Sequence, residues 1–422
     1  MSSLPPSSSP THRTPTPANS NSDSPSSQAN KRAFGALSDA LEFEAVRKKH
    51  RGDMGQDPTA PFRHAARWVG RAIDPFVRLQ DAFHVGGVYD WVEAETDEGR
   101  EVPLPNDEVI MSMTEKDRLL HRKVYQRTKS LVPSFSETLD AFADTPHTSM
   151  KLFSMMTSAI GQSRSDDIGT LKTHGLDIIE MFGLKDHEKA DWAVKKISYK
   201  VKAIRGFNDI IFGRLLCPHK LSKVFEEDPN GLCKKITEGC ADTVILASDL
   251  PAFLYDGDYN PDAIDEGLLR GQVSVQIYKC IFTSPSSVAL VGIGSNTKGR
   301  SSHAQLHGLT RVTPHTIAYA CMLTRFFCGS MVAWCEHDGT FSLRDFYYYI
   351  IALFEMDPDS DWTVGTLDWW DKQVFSVGPR RLENSLMQAE KSADANSDFN
   401  ALIAQRNARR VDTSSATSSE SS

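Results

Sequence analysis

The stretch Ile317–Trp334 limits what this chain can fold into more than any other part of it. It holds eighteen mostly apolar residues, and a run of that length reads either as a membrane span or as a fully buried helix. Arg325, near its centre, decides between the two. A central Arg opposes bilayer insertion by about 2.5–3.5 kcal/mol, while each Leu, Ile, Phe or Val returns only about 0.3–0.6 kcal/mol. These contributions nearly cancel, so a core helix is expected and no membrane contact. Thr313-Pro314 in front of it is a strong helix start: a hydroxyl cap, then proline at the first helical position. The helix is expected to reach about Cys335. An Arg in an apolar core needs a carboxylate, because a buried pair that loses one partner costs roughly 3–5 kcal/mol. Asp345 and Glu355, on the next predicted helix, are the candidate partners of Arg325, with a ligand anion as the alternative.

The rest of the chain is read as mainly α. Apolar residues near periods of three and four mark Ala33–Lys49 and Phe62–Trp91, with Pro75 splitting the second. Thr114 with Asp117 resembles a capping box opening a helix to Leu131. Pro133 interrupts, and Phe135–Phe142 resumes. Further helices are expected at Thr148–Ile160, Leu176–Phe182, Lys189–Ile204 and Ile264–Phe282. Others are expected from Ser342, capped with Asp345, through Phe354, then at Leu367–Phe375 and, loosely, Ser385–Arg410. A short strand is expected at most near 288–293. The fold class is an irregular helical domain between a disordered Ser/Pro-rich N-terminus and a Ser-rich C-terminal tail. The expected segments are a disordered arm at 1–30, a basic amphipathic segment at 31–55, a helical region at 56–205, a second helical core at 206–378, and a polar helix with a tail at 379–422.

Composition narrows the compartment. Residues 1–30 contain ten Ser and six Pro and no apolar run of the kind a secretory signal needs. The seven Cys residues form no dense framework, and no Asn-x-Ser/Thr sequon occurs. An intracellular, reducing location is expected. The net charge of −8 argues against a surface coated in positive charge for nucleic acid, though not against a local basic patch.

Two such patches stand out. Lys31 and Arg32, then Arg47, Lys48, Lys49 and Arg51, form two basic clusters fourteen residues apart. Their spacing resembles a bipartite nuclear import signal, which makes the nucleus the candidate compartment. Lys195, Lys196, Lys200, Lys202 and Arg205 interleave with Ile197, Tyr199, Val201 and Ile204. On a helix these cations could contact phosphates, since such contacts need only clustered positive charge. The other reading of this stretch is a surface helix whose apolar stripe packs inward. Lys116–Lys129 is a weaker basic stretch.

The remaining motifs are imperfect. Gly294–Ser301 matches a phosphate loop except for Arg300 where Lys belongs, and no sturdy helix follows it. Asp256–Asp262 has calcium-loop oxygen spacing, but Pro261 replaces the turn Gly and Gly267 the closing Glu. His303 and His307 lie four apart without a close Cys pair to complete a zinc site. Cys321, Cys328 and Cys335 recur every seven residues, as a packed stripe would. No catalytic residue, metal or cofactor is expected.

From about Gly206 onward the chain is similar to an uncharacterised domain-of-unknown-function family abundant in mushroom-forming basidiomycete fungi. The resemblance rests on Gly206-Phe207-Asn208, Gly213–Pro218, Pro251–Tyr255, Gly267–Arg270 and Ile281–Ser287. It continues through Leu306-His307-Gly308, Val312-Thr313-Pro314, Ile317-Ala318-Tyr319, Arg325-Phe326, Phe346-Tyr347 and Trp369-Trp370. It spans roughly residues 200–375. Leu250 departs from it, where a Trp often stands. It implies a fungal origin and carries no activity, substrate or site residue. The resulting expectation is a non-enzymatic intracellular protein that binds an unidentified protein partner, with nucleic-acid association as the alternative.

Overall fold

The structure is a computed structural model that describes residues 25–42, 57–97, 103–132, 134–142, 145–257, 260–288, 301–378 and 380. Its helices in chain order begin with α1 (Pro25–Glu42), α2 (Ala60–Ala72), α3 (Leu79–Asp97), α4 (Glu108–Ser112) and α5 (Glu115–Leu131). Next come α6 (Phe135–Phe142), α7 (Pro146–Phe182), α8 (Lys189–Lys195), α9 (Ile210–Leu216), α10 (Ser222–Glu227) and α11 (Pro229–Thr237). The last are α12 (Gln272–Tyr278), α13 (His303–Leu306), α14 (Pro314–Cys328), α15 (Leu343–Glu355) and α16 (Asp361–Phe375). The only sheet among the described residues is a hairpin of β1 (His337–Asp338) and β2 (Phe341–Ser342).

Local chemistry sets several of these boundaries. Thr114 Oγ1 accepts from the Asp117 backbone N–H at 3.1 Å, and Ser342 Oγ from that of Asp345 at 3.1 Å. Thr313 and Thr316 cap each other at the start of α14, with Pro314 at its first position. The chain between α2 and α3 is non-helical around Pro75, as the missing N–H of proline requires.

The 37-residue helix α7 is the spine. Its first half, including Leu152, Met156 and Ile160, packs in one core with α1, α2, α3, α5 and α6. Its second half, including Leu171, Ile178 and Ile179, belongs to a larger core that runs on to Trp370. In that core α14 is buried on every side, as its apolar composition dictates.

The structure differs from the sequence reading in five places. The first helix begins at Pro25, inside the segment expected to be disordered. Thr148–Ile160 and Leu176–Phe182 are parts of one helix. Gly175 does not break it, because it admits the Phe327 ring: a Cβ there would lie 2.5 Å from that ring. Ile264–Phe282 is helical only from Gln272. Before it, Gly267 and Leu269 take positive φ, and the Tyr255–Leu268 bridge pins the turn to the preceding loop. Helix α14 stops at Cys328 rather than Cys335, because the Arg325 carbonyl is capped by the Gly329 N–H and the chain leaves toward the hairpin. Strand structure is therefore found at 337–342; near 288–293, Val288 is a buried bend and 289–293 lie outside the described residues. The stripe of Cys321 and Cys328 is buried, but Cys335 is off the helix and exposed.

The fifth difference matters most for function. Lys189–Ile204 is not one helix. Helix α8 ends at Lys195, and two 3₁₀ turns follow at Ser198–Lys200 and Lys202–Ile204, separated by Val201 in an extended conformation.

Candidate functional site

Helix α14 ends with carbonyls that have no helical partner, and the negative end of its dipole lies there. Three cations gather at this end. Arg205 donates from Nε to the Tyr199 carbonyl at 2.7 Å and from Nη1 to the Phe327 carbonyl at 3.1 Å. Lys202 Nζ donates to the Met331 carbonyl and sits 3.5 Å from the centre of the Phe326 ring. Arg325 Nη1 lies 2.9 Å from Asp338 Oδ2, with its guanidinium 4.4 Å from the Phe341 ring centre. Gly206, with φ +67°, lets the two backbones meet here, since a Cβ would lie 3.1 Å from the Ser330 nitrogen.

The partner of Arg325 is thus Asp338, not Asp345 or Glu355. Both of those are exposed on α15; Asp345 gives its backbone N–H to Ser342, and Glu355 accepts from Lys123 Nζ at 2.8 Å. Because α14 ends at Cys328, the hairpin folds back and brings Asp338 over the buried guanidinium.

The cations of the basic stretch Lys195–Arg205 do not share one face. Lys195 pairs with Asp191 at 3.1 Å, and Lys196 reaches Asp177 at 2.7 Å and Glu180 at 2.5 Å. The Asp177 and Glu180 hydrogen bonds hold the Lys196 ammonium above its ordinary value. Lys202 and Arg205 face the end of α14. Lys200 alone among the five is exposed with no ion-pair partner among the described residues. Trp192 and Tyr199 anchor the segment inward, Tyr199 through a hydroxyl bond to Asp209 Oδ2 at 2.8 Å. The aliphatic residues of the segment point outward: Val194 is 84% exposed, Ile197 79%, Val201 59% and Ile204 36%. Of the stripe expected to pack inward, only Tyr199 does so, and Ile197, Val201 and Ile204 face out. The carbonyls of Phe327, in the last turn of α14, and of Met331, just beyond it, hold Arg205 and Lys202, and the aliphatic side chains are left outside.

Beside this ridge lies a cavity of about 470 Å³. Its apolar lining comes from Ile168, Leu171, Val201, Phe326, Phe327 and Val332. Lys202 also lines it, with the exposed Lys172 and Lys200 at its edge. Burial, aided by Arg205, pushes the Lys202 ammonium down to about 7. Chemically, the groove can take an apolar group that carries a negative charge at one end. No sequence signal marked Lys172 or Val332, since only the fold brings them beside Lys202.

A second cleft, of about 840 Å³, lies between the α2–α3 connection, α5 and α15. At its inner wall the buried Asp74 accepts from the Phe76 N–H and the Tyr348 hydroxyl, both at 2.7 Å. Burial raises the Asp74 carboxyl and pushes the nearby His315 imidazole down to about 3. Its rim mixes both signs, Arg78, Lys116 and Arg344 against Asp81, Glu115 and Asp117, and so selects no ligand charge.

Other sequence candidates are placed elsewhere or not described. Arg32 is exposed on α1 with Lys31 on the same helix, while Arg47, Lys48, Lys49 and Arg51 lie outside the described residues. The loop Gly294–Arg300 also lies outside them. His307 stacks on Trp68 with 4.2 Å between ring centroids, and burial lowers its imidazole. No group of three or more metal-ligating side chains occurs among the described residues. No described helix is long and apolar enough to cross a membrane.

Comparison with known proteins finds no match among curated proteins and none among solved structures. One family model matches, over residues 158–375. The match begins within α7, close to where its burial passes from the first core to the second, and it contains the whole groove at the end of α14. With just over half of its residues inside that match, the chain belongs to the family of unknown function DUF6698.

Proposed function

We propose that this chain, an intracellular protein of a mushroom-forming fungus, is a non-enzymatic interaction module. Its partner is a protein segment that is apolar on one face and acidic at its flanks. The observation that carries the reading is the facing of 194–205: Val194, Ile197, Val201 and Ile204 lie outside while Lys202 and Arg205 turn inward. Solvent-facing aliphatic residues in a row oppose solubility unless something covers them, and such patches mark interaction sites. The charge of the occupant follows from Lys172 and Lys200, which stand exposed at the groove without ion-pair partners among the described residues.

The alternative, phosphate contact through Lys195–Arg205, asks for cations facing solvent. In that segment Lys196, Lys202 and Arg205 are engaged with protein groups. The import reading of Lys31–Arg51 stands beside the docking proposal, with the exposed Arg32 as its support. Replacing Arg47, Lys48, Lys49 and Arg51 by Ala is expected to leave the fluorescently tagged protein in the cytoplasm.

The test uses fluorescence anisotropy of two labelled synthetic helical peptides sharing one leucine face, one flanked by Glu and one by Lys. The Glu-flanked peptide is expected to bind more tightly, and more weakly as salt rises. The Ile197→Asp and Val201→Asp chains are expected to lose at least about tenfold in affinity, equivalent to about 1.4 kcal/mol. Equal binding of the two peptides, or unchanged binding by both variants, sinks the proposal. Steep salt-dependent binding of duplex DNA or single-stranded RNA in the same assay would transfer the reading to phosphate contact.

A further inference from the structure

The floor of the groove carries a second inference, which shares the cavity with the docking surface but does not rest on it. Lys202 is the only amine drawn into the apolar part of this cavity among the residues that line it; Lys172 and Lys200 are exposed. Its Nζ is held at a fixed point by the Met331 carbonyl and the Phe326 ring face. The charges around it come from every neighbouring element. Arg205 and Arg325 repel its proton, while Asp338 and the Phe326 ring face favour it. Asp338 is already paired with Arg325, and no carboxylate among the described residues is ion-paired with the Lys202 ammonium. A lysine desolvated in an apolar pocket beside other cations is the arrangement that makes an amine nucleophilic near neutral pH.

We propose that Lys202 is a carbonyl-capture site, forming an imine with aldehydes that have an apolar body and an anionic end. The cavity falls within the roughly 300–1,000 Å³ of small-molecule sites. Its lining by Leu171, Phe326, Phe327 and Val332 suits an aromatic or branched body, and Lys172 and Lys200 suit a distal carboxylate. The Nζ lone pair adds to the carbonyl carbon, and the carbonyl oxygen takes up the proton released by nitrogen. The resulting carbinolamine loses one water to leave the C=N bond. No oxidant or reductant enters, and the step is reversible capture rather than turnover.

The experiment incubates the full chain with 4-formylbenzoate or benzaldehyde in the presence of cyanoborohydride, which reduces the imine to a stable amine, and maps the adducts by peptide mass spectrometry. Lys202 is expected to be labelled at least about tenfold faster than Lys172 and Lys200 in the same molecules, with 4-formylbenzoate ahead of benzaldehyde. The pH dependence of its labelling, corrected for probe reactivity on a free lysine peptide, is expected to level off above about 7. That of Lys172 and Lys200 is expected to keep rising toward about 10, the ordinary lysine range. Val332→Trp, which fills the cavity mouth and keeps the amine, is expected to slow labelling of Lys202 alone. Lys202→Arg is expected to remove that adduct and leave the others. Because the main comparison is made within the wild-type chain, it survives the failure of either variant to fold. Labelling of Lys202 no faster than Lys172 and Lys200, or a Lys202 profile still rising toward pH 10, overturns the proposal. Neither result bears on peptide docking at the ridge.

Discussion

Removing the Asp167 carboxylate should unlock the joint between the two cores. Asp167 on α7 takes two hydrogen bonds from Arg71 on α2, Nε to Oδ2 and Nη2 to Oδ1, both 2.8 Å. It takes a third from the Tyr319 hydroxyl on α14, also 2.8 Å. Arg71 is 2% exposed and Asp167 3%, so water cannot replace either partner. Burial works against the Arg71 charge, but the adjacent Asp167 carboxylate outweighs it and holds the guanidinium above its ordinary value. In Asp167→Ala, Arg71 keeps only the carbonyls of Ser163 at 3.3 Å and Arg67 at 3.4 Å. Stranding a buried charge costs about 3–5 kcal/mol, and stranding the Tyr319 hydroxyl adds about 1–3 kcal/mol. Urea unfolding followed by tryptophan fluorescence reads the loss. With a slope near 3 kcal/mol/M, the midpoint should fall by at least about 1 M. Arg71→Met combined with Asp167→Leu should recover most of the loss, because an apolar pair of similar volume leaves no charge to strand. A loss below about 1 kcal/mol in Asp167→Ala, or a double variant as unstable as the two single losses added together, would refute the reasoning.

Four further outcomes are expected. Asp338→Ala should destabilise by about 2–3 kcal/mol, discounted from the fully buried case because Asp338 still meets water. Asp345→Ala, which removes only an acidic residue from the first turn of α15, should cost about 0.3–1 kcal/mol by the same unfolding assay. Gly86→Ala should lower thermal stability by about 1–3 kcal/mol. A Cβ there falls 2.0 Å from Tyr125 Cγ, and the ring is pinned between Phe83 and its bond to Asp90 at 2.5 Å. The buried His315 is depressed to about 3, so between its ordinary value and 3 the unfolded chain binds a proton that the folded chain refuses. Stability should therefore fall as pH drops below about 6.5, by up to about 1.4 kcal/mol per unit from this residue. His315→Gln should flatten that slope, and an unchanged slope would remove His315 as its source.

Helix chemistry was legible residue by residue. Thr114, Thr313 and Ser342 each cap the helix their side chains announce. Pro75 falls in the break between α2 and α3, and the apolar run after Pro314 is a buried helix. These outcomes depend on neighbours within one or two turns, which a linear reading sees. The continuity of α7 through Gly175 was not legible, because its reason is the Phe327 ring from a distant helix. The facing of Val194–Arg205 was not legible either. Period and charge there fit an inward apolar stripe as well as an outward one, and the carbonyls that settle it belong to Phe327 and Met331.

What the sequence determined by itself was thus the helical class, the caps, and the need of Arg325 for a carboxylate, since each follows from covalent chemistry and local burial. The tertiary structure alone decided that the carboxylate is Asp338, that Arg71, Asp167 and Tyr319 meet across three helices, and that Lys202 lies in an apolar cavity with aliphatic residues outside it. Those depend on where α14 ends and on which distant backbone groups lack partners there, and the free energy of a contact between residues 122 apart has no trace in the local pattern of either partner.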